Sequence, residues 1–476
     1  MKPALKAGFV LIMGVRQMDC DVLIVGAGGT GLVVAAVIAR QAPNLRVVLL
    51  ERDLSTPCNT AIASNFIPAA GTRFQRAAGI IDGPDLLLSD ILRKNGGAVD
   101  PVLARAICVA SVDVVHFLVD VVGVGLEFAP ELIWLGHSVP RMHAHPERGG
   151  PPVLASLKRF VEACPKVEIV DQAVCTGLIG DAQSGVTGVS VRHAGADLRI
   201  DATSVVLACG GFGARPDRLA VHIPEMAGAP HIGSSKDLGD ALAWGERLGA
   251  AVALLGAYQG RDCIFADGTR VTPPVLNQGG IAVNASGKRF VNELEDYSSL
   301  ARVYRRQPGQ HAYFIWDQRI QEQVSGVLVM RQAMARGGIF QAADVRGLAQ
   351  ALGLPALALE RTLADWAALP AGQADPYGRR APAQPLAPPY FAARITGAVA
   401  HTQGGLVVDP EGRVLRPDGQ PIKGLHAGGN AIAGLSGQGC EGYLSGNGLL
   451  VAYASGYLMG RAIARQSTCS GAICGA

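Results

Sequence analysis

Residues 21–51 constrain this chain more than any other stretch. The run Asp21–Val25 (DVLIV) is short, apolar and rich in β-branched side chains, the pattern of a buried strand. It stops at Gly26-Ala27-Gly28-Gly29-Thr30-Gly31, and Thr30–Arg40 then reads as an apolar helix. Arg46–Leu50 (RVVLL) is a second strand that ends at Glu51, twenty residues past the last glycine of the turn. Strand, GxGxxG turn, helix, strand and acid, in that order, frame a dinucleotide site. The glycines let backbone approach a pyrophosphate, the helix N-terminus attracts it, and the acid accepts ribose hydroxyls. An acid rather than an Arg at position 51 argues against a 2′-phosphate. The motif alone leaves FAD and NAD both open.

Elements far along the chain decide between them. Val205–Gly213 (VVLACGGFG) is a strand running into a glycine turn, and Gly424–Asn430 (GLHAGGN) is another. Residues 444–463 read as a helix entered through Ser445-Gly446-Asn447-Gly448. The first element thus needs partners almost 400 residues later to complete its domain, with a middle segment inserted between. A nicotinamide dehydrogenase rarely needs its last residues to close the cofactor site, whereas an FAD enzyme with an inserted cap often does. The expected fold is α/β, a Rossmann-like FAD-binding domain interrupted by an α+β cap. Its expected borders are an N-terminal extension at 1–18, FAD-binding parts at 19–230 and 390–465, a cap at 231–389, in which Gln341–Leu369 reads as two short helices broken at Gly353 and Pro355, and a frayed tail at 466–476.

Composition excludes other classes. The chain has 476 residues, 49% of them hydrophobic and 17% charged, a globular balance. A net charge of +3 without a basic run gives no grip on nucleic acid. The 10 Cys form no CxxC pair, which points to reduced thiols in a cytoplasmic protein. The apolar run Ala7–Val15 is short and lacks a small-residue cleavage site, so an extended start is expected rather than a secretory signal. No span of ~18 continuous apolar residues predicts a membrane helix. His137, His143 and His145 sit on a Pro-flanked loop without a carboxylate partner, so no metal is expected.

With GAGGTG and Glu51, Asn59-Thr60, LACGGFG, Gly239-Asp240, GGIAVNASGKRFVNE, HTQGGLVVD and GLHAGGN…GYLSGNGLL all in order, the chain resembles the fumarate reductase/succinate dehydrogenase flavoprotein superfamily, including its ketosteroid-dehydrogenase and ketone-desaturase branch. The resemblance covers roughly residues 19–463 and implies FAD bound by the Rossmann-like domain, with substrate held between the cap and the flavin. By resemblance Gly26, Gly28, Gly31, Glu51 and Arg52 meet the ADP half, with Thr60, Ala208 and Gly210 along the same groove. Val174 lends backbone to the adenine, and Asp240, Gly429 and Asn430 lie along the ribityl chain. Asn430 replaces the family's usual Glu. Gly446, Asn447, Gly448 and Leu449 form the helix start facing the flavin pyrimidine. Asn59 stands where membrane-complex relatives carry the His that bonds covalently to FAD, so the cofactor is expected to be non-covalent.

Two departures direct the functional expectation. The Arg proton donor of a fumarate reductase would fall at about Leu276, and the dicarboxylate-gripping Arg of its NRLGGN motif falls at Tyr443. A fumarate dianion therefore lacks its charges. A ketone suits what remains: Tyr443 and the Gly446/Asn447 backbone can hold a carbonyl oxygen while a base removes the neighbouring proton. Tyr297 is the preferred base and Tyr258 the second candidate. His401, opening HTQGG, and Arg141 and His137, in GHSVPRMH, are candidate substrate binders. The expected reaction is desaturation of a cyclic ketone, either a 3-ketosteroid or a smaller ring such as 4-oxocyclohexanecarboxylate. Electrons leave to oxygen, a quinone or a separate carrier. A reductase of an activated alkene and a flavin-binding protein without turnover are the alternatives.

Overall fold

The computed structural model describes residues 10–473, apart from 13, 14, 132, 182, 266, 270, 272 and 273. The chain divides into two compact units, one comprising Met1–Arg215, Gly233–Tyr258 and His401–Ala476, the other Pro216–Ile232 and Gln259–Ala400.

The first unit is built on β1 (Val15–Val25), α1 (Gly29–Gln41), β2 (Val47–Leu50), α2 (Pro84–Asn95), α3 (Pro101–Asp120), β3 (Val167–Val170), β4 (Ala196–Leu207), α4 (Asp240–Arg247), β5 (Pro421–Ala427) and α5 (Asn447–Ile473). Five strands run parallel in the order β5-β4-β1-β2-β3. Both faces of such a sheet are covered, so its strands read as unbroken apolar runs, and Val22–Val25 and Val47–Leu50 are buried throughout. β1 begins at Val15 and pairs along β4 from Arg16 to Val25, six residues ahead of the strand expected from the DVLIV run.

α1 is covered by α5, the element from the far end of the chain. A Cβ at Gly456 would lie 2.8 Å from the Thr30 carbonyl oxygen, and one at Gly460 would lie 2.7 Å from Val37 Cβ. These two glycines, one turn apart, bring the helices together and enclose Val33, Val34 and Val37 completely. Each such side chain contributes roughly 1.5–3 kcal/mol by leaving water. α5 continues to Ile473, so residues 466–473, expected as a frayed tail, are helical; the expected extension at residues 1–9 and the last residues 474–476 lie outside the described set.

α3 is the one helix of its kind among the described residues. It is long and apolar enough to cross a membrane by length and composition, with mean hydropathy 2.0, although 56% of that window is buried inside the protein. It is capped by Asp100, whose side chain accepts from the Val102 and Leu103 amides, and it packs on α2 and α5 as a core helix.

The second unit holds a separate sheet, with antiparallel pairings Ile281↔Ile315, Phe314↔Ala393 and Phe340↔Ala392. Trp316, Phe314, Leu300 and Tyr304 fill its core. Two helices, Val345–Leu352 and Ala356–Ala368, break at the left-handed Gly353 and at Pro355, as the sequence predicts. Glu293 accepts from the Ala282 amide and from Arg289 and Arg379 inside this unit.

The unit borders differ from the expected 230/231 and 389/390. Residues 233–258 stay with the first unit because Lys236 and Asp237 bond Glu51 and Asn59, and Trp244 and Leu248 of the α4 region join its core. The strand Tyr390–Thr402 stays with the second unit as far as Ala400 because it pairs with Ala312–Asp317.

Candidate functional site

The GxGxxG turn stands at the carboxyl ends of β1 and β2, and its three glycines have different jobs. Gly26 has φ +105°, and a Cβ there would lie 2.5 Å from the Ala208 carbonyl oxygen. A Cβ at Gly31 would lie 2.0 Å from the Gly26 oxygen. Side chains at either position break the turn. At Gly28 the nearest atoms are Cys58 Cβ and Sγ at 3.8 Å, so its Cα faces space rather than protein. That is where a ligand's phosphates can approach, over the N-terminal amides of α1 that no helical carbonyl reaches.

Glu51 follows directly on β2. Its Oε2 accepts from the Ala27 amide at 2.9 Å, and its Oε1 accepts from Lys236 Nζ at 2.9 Å. Lys236 also donates to the Asp53 carbonyl at 2.7 Å. A cleft of about 160 Å³ opens here, lined by Glu51, Leu54, Cys58, Leu154, Lys158 and Lys236 among others. Val174 is the second residue of the strand Ala173–Asp181, whose Ala173 amide donates to the Glu51 carbonyl at 2.9 Å. Asp240 accepts from Arg52 at 2.7 Å. This pairing brings Asp240 to Arg52, the residue that follows Glu51.

The middle of the groove rises over the end of β4. Gly210 has φ +84°, and a Cβ there would lie 2.2 Å from Asp237 Oδ1. Asp237 is buried, and burial pushes its carboxyl up to about 6 despite the hydrogen bond from Asn59. Asn59 donates to Asp237 Oδ2 at 2.5 Å and accepts from the Ser234 amide at 2.7 Å. Thr60 is buried beside it, its Oγ1 2.7 Å from where a Cβ on Gly29 would stand. Gly429 begins a short 3₁₀ turn with Asn430, and its amide donates to Ser455 Oγ at 3.0 Å.

The far end is the turn 443–448 leading into α5. Gly446 takes φ +87°, and a Cβ there would lie 2.8 Å from Pro68 Cδ. Asn447 is fully buried, and its Oδ1 has no hydrogen-bond partner among the described residues. An orphaned buried carbonyl oxygen at a helix start is a place for a ligand donor. Leu449 follows in the first turn of the helix. The His401 and Tyr443 rings meet edge to face at 5.9 Å, and a Cβ on Gly448 would lie 2.9 Å from His401 Nε2.

Arg141 and His137 do not face a substrate. The Arg141 side chain is fully buried and forked onto Asp82, at 2.8 and 2.9 Å, with a further bond to Asp90. Its charge is consumed inside the protein, which corrects the expectation that it receives a carboxylate. Arg141 also donates to His137 Nδ1 at 3.3 Å. Arginine can only donate, so the His137 proton sits on Nε2, which donates to the Ser445 carbonyl at 2.9 Å. Burial holds His137 down to about 4, so it stays neutral. The pair therefore pins the turn that carries Tyr443. His143 bonds Thr72 Oγ1 and the Arg141 carbonyl. No group of three His, Cys, Asp or Glu side chains among the described residues is arranged to hold a metal ion.

Tyr258 is completely buried at the start of the strand Tyr258–Ile264. Tyr297 opens the helix Tyr297–Arg305 of the second unit, after the N-cap Asp296. There the Arg261 guanidinium lies 4.4 Å over its ring, and Gln259 donates to its hydroxyl at 3.5 Å. Sequence reasoning missed Arg261, Lys236, Asp237, Gln403 and the acids Asp82 and Asp90. Of these only Gln403, inside the HTQGG run, stood in a motif already singled out.

The FAD binding domain family matches residues 21–449. NADH:fumarate oxidoreductase of Klebsiella pneumoniae (strain 342) is 29% identical over 427 residues, which cover 88% of this chain and 45% of that protein. The chain thus spans less than half the length of that relative. A 3-oxosteroid 1-dehydrogenase of Mycobacterium tuberculosis (strain ATCC 25618 / H37Rv) is 31% identical over 304 residues, 55% of this chain and 53% of that protein. Among solved structures, the open conformation of a flavocytochrome c3 fumarate reductase aligns with TM-score 0.81 at 24% identity, over 94% of this chain and 78% of that one. The 3-ketosteroid-Δ4-(5α)-dehydrogenase from Rhodococcus jostii RHA1 aligns with TM-score 0.75 at 24% identity, over 94% and 97%.

Proposed function

The chain belongs to the FAD binding domain family, among the fumarate reductase/succinate dehydrogenase flavoproteins, and from that premise we propose that it desaturates a carbon–carbon bond next to the ketone of a cyclic substrate. It is an FAD-binding oxidoreductase of a family acting on CH–CH and C=C groups. FAD, when bound, supplies the hydride acceptor; the chain's own groups handle the substrate oxygen and the proton.

The observation that carries the proposal is the ring pair Tyr443 and His401 at the start of α5. Positions 276 and 443, where the resemblance asks for arginines, hold Leu and Tyr, and Arg141 is already neutralised by Asp82 and Asp90. A dicarboxylate would lack the two arginines that the resemblance asks for. A carbonyl oxygen would meet the Tyr443 hydroxyl and the Gly446 amide, with the positive end of α5 behind them; the Asn447 amide, expected to share this role, is spent on the Leu444 carbonyl at 2.9 Å. As a base removes the α-proton, negative charge grows on that oxygen, where these donors strengthen most. Tyr297 is kept as the proposed base on the family resemblance; within its own unit the Arg261 guanidinium lies 4.4 Å over its ring. With Arg141 withdrawn, a carboxylated ring loses its cationic partner, so an uncharged 3-ketosteroid-like ring suits the site better than 4-oxocyclohexanecarboxylate.

Asn59 cannot form a histidyl link and is engaged by Asp237 and Ser234, which supports non-covalent FAD; acid precipitation should release all of the flavin. The eight described cysteines are all free thiols, in keeping with a cytoplasmic setting. The reverse reaction, reduction of an activated alkene, draws support from the likeness to NADH:fumarate oxidoreductase over 88% of this chain. The test is Tyr443→Phe in the FAD-loaded protein. Ketone-dependent turnover should fall about 10²–10³-fold with flavin content unchanged, the cost of one oxyanion donor. A variant as active as the parent would overturn the proposal.

A further inference from the structure

Two segments from earlier in the chain pack against the turn that follows Tyr443. One is Phe66-Ile67-Pro68: a Cβ on Gly446 would lie 2.8 Å from Pro68 Cδ and 3.3 Å from the Phe66 carbonyl oxygen. The other is the turn Trp134–His137, closed by the His137 amide donating to the Trp134 carbonyl at 3.0 Å. Gly136, third in that turn, has φ +90°, the sign a type II turn requires there. A Cβ on Gly136 would lie 2.5 Å from Leu444 Cδ1, and the His137 ring donates to the Ser445 carbonyl at 2.9 Å.

The two segments meet through their aromatic rings. The Phe66 and Trp134 centroids are 5.2 Å apart, and the Arg148 guanidinium, 5.1 Å from the Phe66 centroid, holds that ring by a cation–π contact. Next to Trp134 in the chain, Ile133 is 62% exposed and Leu135 48%; four residues before Phe66, Ile62 is 47% exposed. Single exposed apolar side chains are ordinary on a protein surface. Three of them gathered around a touching pair of rings, beside a candidate site, mark a surface that a ligand covers. Trp134 Nε1 is buried and has no hydrogen-bond partner among the described residues, so this indole is not held by a structural bond of its own.

We propose that Phe66 and Trp134, extended by Ile62, Ile133 and Leu135, form an apolar wall that takes the rings of the substrate beyond its ketone, so that affinity rises with ring count and Trp134 sets the preference for a polycyclic ketone over a single ring. That the ketone end lies at Tyr443 rests on the proposed function; the wall itself follows from the contacts of the two segments with residues 444–446.

The test is equilibrium dialysis under nitrogen of the FAD-loaded protein with cyclohexanone, 2-decalone and a 3-ketosteroid, which counts bound ligand whether or not it reacts. The parent should bind the three with rising affinity in that order. Trp134→Ala should lower the ratio of steroid to cyclohexanone affinity about 10–100-fold, the worth of one large apolar contact. Leu135→Ser, at an exposed position, should lower the ratio in the same direction by less, and it decides the matter if the Trp134 variant fails to fold. A parent that binds the steroid no more tightly than cyclohexanone, or a ratio that neither variant moves, overturns the inference; a merely structural tryptophan would weaken all three ligands alike. The flavin band separates this result from the proposed function. Binding that depends on ring count and on Trp134 but never bleaches the flavin keeps the wall and removes the desaturase, whereas bleaching with an unmoved ratio removes the wall alone.

Discussion

At the ADP end of the groove, backbone shape does the selecting, whereas the 443–448 turn at the other end is shaped by buried side chains. The first end is Gly26, Gly28, Gly31 and Glu51, all within one βαβ stretch and mostly glycine. The second is held by Asp82, Asp90, Arg141 and His137 on one side and by Gln403 and Ser436 on the other. A site made of backbone tolerates no added atom, while a site made of polar networks tolerates no unpaired charge. The two ends should therefore fail in different ways.

The largest effect is expected at the glycines. Gly31→Ala drives a Cβ to 2.0 Å from the Gly26 oxygen and should yield protein with essentially no flavin absorbance. Gly28→Ala meets only Cys58 at 3.8 Å, so it should fold with an unchanged Tm yet bind FAD at least about tenfold more weakly, about 1.4 kcal/mol. Equal flavin content in the parent and both variants would break the assignment of this end. At the other end, Arg141→Leu strands the buried Asp82 carboxylate and should cost about 3–5 kcal/mol in urea unfolding. Adding Asp82→Asn and Asp90→Asn should recover most of that loss. If the arginine bound substrate instead, the single change would leave stability near the parent's.

A smaller effect, dependent on pH, separates the middle of the groove from both ends. Asp237 has its carboxyl raised from 3.8 to about 6 by burial, so the folded state binds that proton more tightly than the unfolded chain does. Its stabilising contribution is present in full below about pH 4 and is lost as pH rises to about 6. The difference is worth about 3 kcal/mol. Asp237→Asn should thus gain up to that amount over the parent at pH 7.5 and nothing at pH 3.5, read from paired melts. A gap that stays the same at both values would contradict burial as the cause.

This contrast also explains what could be read in the sequence. The GxGxxG frame, Glu51 and the closing helix were legible because their spacing is set by one turn and one crossover. The breaks at Gly353 and Pro355 were legible for the same local reason. Arg141 was misread because GHSVPRMH gives no sign of Asp82 and Asp90, which reach it from α2 and the turn before it. The pairing of Asp240 with Arg52, 188 residues away, left no trace in the sequence. The start of β1 was missed because Val15–Cys20 mixes polar and apolar residues at the strand's outer end. Charge pairs and hydrogen bonds between distant residues leave no periodic trace, whereas turns and buried strands do.

The central claim is that the turn at 443–448 receives an uncharged carbonyl rather than a dicarboxylate. Anaerobic absorbance of the FAD-loaded protein, titrated in turn with a 3-ketosteroid, 4-oxocyclohexanecarboxylate, cyclohexanone and succinate, addresses it directly. The account predicts bleaching of the flavin band by a cyclic ketone and none by succinate. Bleaching by succinate, with the ketones inert, would contradict it.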